Sequence, residues 1–190
     1  MVRSLGLCRI DSSSHAGARL SCDLVDCSPP CVALFAGVIS PIVNTAAPDF
    51  ELSNQFGERI RLSDFRDKKP VALVFFPLAF SSTCTTELCE LRDNIEVFGA
   101  SGVELIGISV DSKATQRAFA EKEGYDFMLL ADFWPHGEVA RQYGVFIEEK
   151  GYANRATFLI DREGLIRSSF ITSPGEARSL DAYRAAVAEL

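Results

Sequence analysis

The chain has 190 residues with a formal net charge of −7, 47% hydrophobic and 24% charged residues. That length suits one catalytic domain with a sizeable core, with room for an appendage. The acidic balance argues against nucleic acid or an anionic membrane as partner, and no apolar run approaches the ~20 residues that span a bilayer.

Of the six cysteines, four precede residue 32 and only Cys84 and Cys89 follow. This is too sparse for a disulfide scaffold and points to a reducing, cytoplasmic setting. Residues 1–40 hold Cys8, Cys22, Cys27 and Cys31, a serine run and Pro29-Pro30, without sustained periodicity. The spacing of Cys22, Cys27 and Cys31 is compatible with a zinc site. The apolar run Cys31 to Ile39 resembles a signal segment, but Asp11, Asp23 and Asp26 precede it, the wrong charge for such a leader. The preferred reading is a disordered or dispensable leader ahead of a domain at 41–190.

From Ala47 the pattern becomes regular. Pro48 to Leu52 and Arg59 to Leu62 alternate as a β-hairpin about the turn Asn54–Gly57, and Ser63 to Arg66 suits one helical turn. Val71 to Phe76, bounded by Pro70 and Pro77, reads as a strand buried on both faces. Cys84, Leu88, Leu91, Ile95 and Phe98 then share one face of a helix, with Ser81, Ser82 and Thr83 as candidate N-caps. Val103 to Val110 predicts a strand, Lys113 to Glu123 a helix capped by Ser112 and stopped by Gly124, and Phe127 to Leu130 a shorter strand. A loop from Asp132 to Gly137 leads to a short helix ending at Tyr143. Ala156 to Ile160 and Leu165 to Ile171 predict a hairpin, and Leu180, Tyr183, Val187 and Leu190 mark a last helix. The order predicts an α/β fold, a central mixed β-sheet flanked by helices. A cysteine at the start of the helix after the first long strand resembles the thioredoxin architecture, so the fold expected is thioredoxin-like.

Cys84 falls in the first turn of its helix, at the carboxyl end of the first long strand. Free amides and the positive helix end there favour a thiolate over a thiol. The competing role is a small apolar residue on the helix stripe. No Cys-x-x-Cys surrounds it, which favours a single reactive thiol over a dithiol reductase. A Cys–His hydrolase needs a base, and the chain offers only His15 and His136, the latter reading as a capping or surface residue beside Trp134.

The string Pro77 to Cys84 fits the P-x-x-x-[T/S]-x-x-C motif of peroxiredoxins, with Ser81 where threonine is commoner. Gly144-Val145-Phe146 and Ala153 to Phe158 resemble the segment that carries that family's active-site arginine. The runs VFFPLAF, ELCELRD, DFWPHG and ANRATF together resemble the alkyl hydroperoxide reductase E subgroup, and next the bacterioferritin-comigratory-protein subgroup. The resemblance spans residues 45–190 and leaves the leader uncovered.

The resemblance implies a thiol peroxidase acting on hydrogen peroxide and organic hydroperoxides, without metal or organic cofactor. Cys84 is then the attacking thiolate, and Arg155 supplies positive potential for it and for the departing oxygen. Ser81, or Thr83 in its stead, positions the peroxide, Pro77 shields the sulfur, and Glu87 orients the arginine. Plain alternatives are an exposed first-turn acid for Glu87 and a surface ion pair for Arg155. Cys89 matches the spacing of a resolving thiol that forms an intramolecular disulfide through a Cys84 sulfenic acid. Implied partners are a peroxide, an external thiol reductant of the thioredoxin, glutaredoxin or mycoredoxin kind, and a second copy in a homodimer. The competing functions are a peroxide-sensing thiol relay and a thioredoxin-like disulfide reductase.

Overall fold

The computed structural model describes residues 43–190. The leader, zinc and signal readings fall on residues 1–40 and lie outside the described residues. Among those described, no helix is long and apolar enough to cross a membrane.

The organising element is β3 (Val71–Phe75), every residue of which is buried. Successive side chains of a strand point to opposite faces, and this strand accordingly feeds two cores. Val71, Leu73 and Phe75 enter one that includes Phe50, Tyr143 and Phe158. Ala72, Val74 and the following Phe76 enter another with Cys84, Leu88 and Phe119. A strand covered on both sides explains the unbroken apolar run.

The preceding hairpin is β1 (Glu51–Asn54) with β2 (Arg59–Arg61), followed by a 3-10 turn at Leu62–Phe65. After β3 come α1 (Ser82–Asp93), α2 (Glu96–Gly99), β4 (Glu104–Ser109), α3 (Lys113–Glu123), β5 (Met128–Ala131) and α4 (Glu138–Gln142). The last part holds β6 (Phe146–Ile147), β7 (Tyr152–Ala153), β8 (Arg155–Ile160), β9 (Ile166–Thr172) and α5 (Leu180–Val187). Seven strands form one mixed sheet in the order β2-β1-β5-β4-β3-β8-β9, while β6 and β7 pair separately. β3 is parallel to β4 on one side and antiparallel to β8 on the other.

Three details differ from the sequence expectation. The helix expected from Cys84 to Phe98 is two helices, because Asn94 leaves helical geometry at φ −123° and its side-chain amide donates to the Glu90 carbonyl at 2.9 Å. A local side-chain bond of this kind offers the backbone an alternative to the helix. Ile95 and Phe98 still pack on the same core, so the apolar period runs through the break. The last helix stops before Leu190, which is 39% exposed rather than part of a buried stripe. The β6–β7 pair, two residues on each side, was not expected.

Candidate active site

Cys84 is the third residue of α1, and its side chain has no solvent exposure. The Ser81 backbone is extended, as an N-cap must be, and its carbonyl accepts the first helical bond from Thr85 at 2.9 Å. The amides of Ser82, Thr83 and Cys84 precede that bond, so the sulfur lies at the helix end with unsatisfied donors.

The second contribution comes from β8. Val74 pairs with Thr157 and Phe75 with Ala156, and Ala156 and Phe158 belong to the first core. By alternation, Arg155 and Thr157 face the other core, where Cys84 lies. Arg155 thereby places Nη2 at 3.1 Å from the Cys84 sulfur. Its Nη1 donates to Glu87 Oε2 at 2.5 Å and its Nε to the Pro174 carbonyl at 2.9 Å. A planar guanidinium tied at two other nitrogens has little freedom left at the third.

Arg155 and Glu87 are each 1% exposed, so neither is the surface charge that the plain alternatives describe. Glu87 follows Cys84 by three residues and therefore shares its side of α1. Burial works to raise the Glu87 pKa. The hydrogen bonds and charge of Arg178, with the charge of Arg155, more than offset this and hold the carboxyl below its ordinary value.

Arg178 is the member that the sequence did not reveal. It is 2% exposed and donates from Nε to Glu87 Oε1 at 2.6 Å and from Nη2 to Oε2 at 2.9 Å. Its Nη1 reaches Thr157 Oγ1 at 3.0 Å, and that hydroxyl meets the Tyr183 phenol at 3.3 Å. Burial pushes the Tyr183 phenol up to about 12, so it joins the cluster uncharged at neutral pH. Two guanidiniums against one carboxylate leave a net positive charge beside the sulfur. No periodicity or motif distinguishes Arg178, which lies in the polar connection between β9 and α5.

The other candidates are placed less directly. Pro77 is buried at the end of β3. The Ser81 hydroxyl donates to the Leu78 carbonyl at 3.0 Å and makes no hydrogen bond to the sulfur. Cys89 is half-buried against the same core, with its sulfur 3.7 Å from the Tyr125 hydroxyl and 3.8 Å from Glu123 Oε2. Both cysteines are free thiols. His136 is exposed, bonded through Nε2 to the Gly151 carbonyl at 2.7 Å, and has no bond to Cys84.

Several known proteins are similar to this chain. Alkyl hydroperoxide reductase E of Mycobacterium tuberculosis is 44% identical over 148 residues, covering 78% of this chain and 97% of that protein. Peroxiredoxin Bcp of Escherichia coli K12 is 39% identical over 130 residues, covering 65% and 81%. Among solved structures, peroxidoxin BcpB of Mycobacterium tuberculosis superposes with a TM-score of 0.67 at 33% identity, covering 77% of this chain and 94% of the other. Enterococcus faecalis AhpC does so with a TM-score of 0.71 at 29% identity, covering 77% and 90%. The thioredoxin-like fold expected from the sequence is thus the fold found. Residues 43–169 match the AhpC/TSA family, and with a buried cysteine at a helix N-terminus facing an arginine, the chain belongs to this family of peroxiredoxins.

Proposed function

We propose that this peroxiredoxin reduces hydrogen peroxide and organic hydroperoxides through Cys84, with Cys89 as the resolving thiol. The observation that carries the reading is the 3.1 Å approach of Arg155 Nη2 to the Cys84 sulfur inside a buried, net positive cluster. Positive charge and free helix amides favour the thiolate, and the thiolate is the nucleophile.

The Cys84 thiolate attacks one peroxide oxygen, forming an S–O bond as the O–O bond breaks. The departing hydroxide or alkoxide takes a proton and leaves as water or alcohol, and the sulfur becomes a sulfenic acid. Arg155 is placed to stabilise the charge that develops on the leaving oxygen. Glu87 fixes the plane of that guanidinium, and Pro77 keeps bulk water from the sulfur. The Ser81 hydroxyl exchanges its bond to Leu78 for one to the peroxide.

Cys89 then displaces water from the sulfenic acid to give a disulfide. An external dithiol of the thioredoxin, glutaredoxin or mycoredoxin kind reduces that disulfide and is itself oxidised. The enzyme works in the cytoplasm as a homodimer and needs no metal or organic cofactor. The deciding experiment is anaerobic titration with hydrogen peroxide followed by intact mass and peptide mapping. One equivalent is expected to oxidise Cys84 and to be consumed catalytically once a dithiol is supplied. A single turnover that no reductant renews supports a peroxide sensor instead, and persistence of the reaction in Cys84→Ser sinks the assignment.

A further inference from the structure

The connection from β3 to α1 contains an unfavourable backbone. Phe80 sits at φ +61°, in the left-handed region that bulky L residues rarely adopt. Such a conformation persists only where its surroundings impose it. Part of the restraint here comes from the connection between β4 and α3 and from α3 itself.

The Ala79 amide donates to Asp111 Oδ2 at 2.7 Å. The same carboxylate oxygen accepts from Ser109 Oγ at 2.7 Å, and that hydroxyl oxygen accepts from Gln116 Nε2 at 2.7 Å. Gln116 is fully buried and Ser109 is 1% exposed, so the carboxylate is aimed by groups fixed in the core. Beyond Asp111, the Phe80 ring packs on Phe119 at 4.9 Å between centroids, with Lys122 Nζ 5.4 Å from its centre. One residue after Phe80 the chain becomes the Ser81 N-cap, and four after it the chain reaches Cys84.

We propose that Asp111 is a positioning residue for the peroxidase reaction, holding the Ala79 amide so that the strained Phe80 turn presents Ser81 and the first turn of α1 to Arg155. This rests on Cys84 being the attacking thiol. Without the carboxylate, Ala79 loses its acceptor and Phe80 relaxes toward negative φ. The direction in which the chain enters α1 then changes, displacing the sulfur from the guanidinium. Displacements near 1 Å at a reacting centre cost on the order of 100-fold in rate.

The charge of Asp111 acts in the opposite sense. Loss of a nearby negative charge by itself favours a thiolate, so positioning and charge give opposite signs and can be told apart. The test measures sulfenic acid formation at Cys84 by quenched-flow mass spectrometry, the pH midpoint of Cys84 alkylation, and thermal stability, in the full chain. Asp111→Ala is expected to slow oxidation at least ~5-fold, or about 1 kcal/mol of barrier, and to raise the alkylation midpoint. Asp111→Asn keeps an oxygen for the Ala79 amide and is expected to stay within ~5-fold of the parent. A smaller loss in Asp111→Ala, a lowered midpoint, or an Asp111→Asn enzyme as slow as Asp111→Ala overturns the proposal. Should Asp111→Ala not fold, Ser109→Ala decides, since it frees the carboxylate but leaves it present. A slower rate with a raised midpoint supports positioning, and parental values overturn it. Parent enzyme that oxidises elsewhere than Cys84 removes the underlying reading as well. Normal Cys84 oxidation with indifferent variants removes this inference alone.

Discussion

Arg178 holds Glu87 by both carboxylate oxygens, with Nε at 2.6 Å and Nη2 at 2.9 Å, and its backbone amide adds a bond to Oε1 at 2.9 Å. Both side chains are buried, so neither charge has water to fall back on. Removing one partner of such a pair costs about 3–5 kcal/mol, chiefly through the charge left behind. Arg178→Met is therefore expected to lower the melting temperature by roughly 6–20 °C, at about 2–4 °C per kcal/mol for a chain of this size. A thermal scan that shifts by less than about 2 °C would falsify the assignment of Arg178 as a structural partner of Glu87.

The same contacts set an acid limit on stability. Glu87 has its folded pKa held below the ordinary value of 4.5, so its contribution is fully present above that pH. It is lost as pH falls through the lowered folded value, because only the ionised form gains from the arginines. The urea midpoint of the parent is expected to fall as pH drops below about 4.5. In Glu87→Gln the midpoint starts lower and this acid slope is reduced. Parallel slopes in the two proteins would assign the acid sensitivity to other carboxylates.

Arg155→Met keeps the bulk of the stem and removes the charge and donors. Peroxide reduction is expected to slow by at least about 10-fold, or ~1.4 kcal/mol of barrier. The pH midpoint of Cys84 alkylation should move up, since a cation 3.1 Å from the sulfur has gone. An unchanged alkylation profile would make this arginine a structural residue only.

The proposed resolving role of Cys89 sets a geometric requirement. Cys89 follows Cys84 by five residues on an unbroken helix, about 140° round the axis and roughly 8.6 Å away between Cα atoms. A disulfide needs Cα atoms within about 7 Å. For the proposed disulfide to form, the first turn of α1 must unwind and Cys89 must leave Tyr125 and Glu123. Peptide mapping after one equivalent of peroxide should find a Cys84–Cys89 link, and Cys89→Ser should overoxidise more readily at Cys84. Accumulation of sulfenic acid with Cys89 still free identifies a one-cysteine enzyme.

Much of this arrangement is legible in the sequence because it rests on local periodicity. The apolar run of β3 and the stripe from Cys84 to Leu91 follow directly from burial on two faces and on one. Arg155 was visible only through its likeness to a family segment, since pairing of β8 with β3 is what brings it to Cys84. Arg178 leaves no local trace, because its burial comes from partners up to 91 positions away. The Ser81 bond to Leu78 and the positive φ of Phe80 are equally hidden, since both depend on how the loop is held rather than on its composition. The helix break at Asn94 escaped because the apolar period continues through Ile95 and Phe98.

Cys84 and Arg155 are 71 positions apart, and Arg178 comes from the last connection before the final helix. A ribosome that has made only the first hundred residues has made the cysteine but neither arginine. Such an unfinished chain holds the thiol without the two guanidiniums that gather about it and Glu87 in the folded protein. The contacts of the sulfur with Arg155 and of Glu87 with Arg178 form only when β8 has docked beside β3 and the segment before α5 has closed over Glu87.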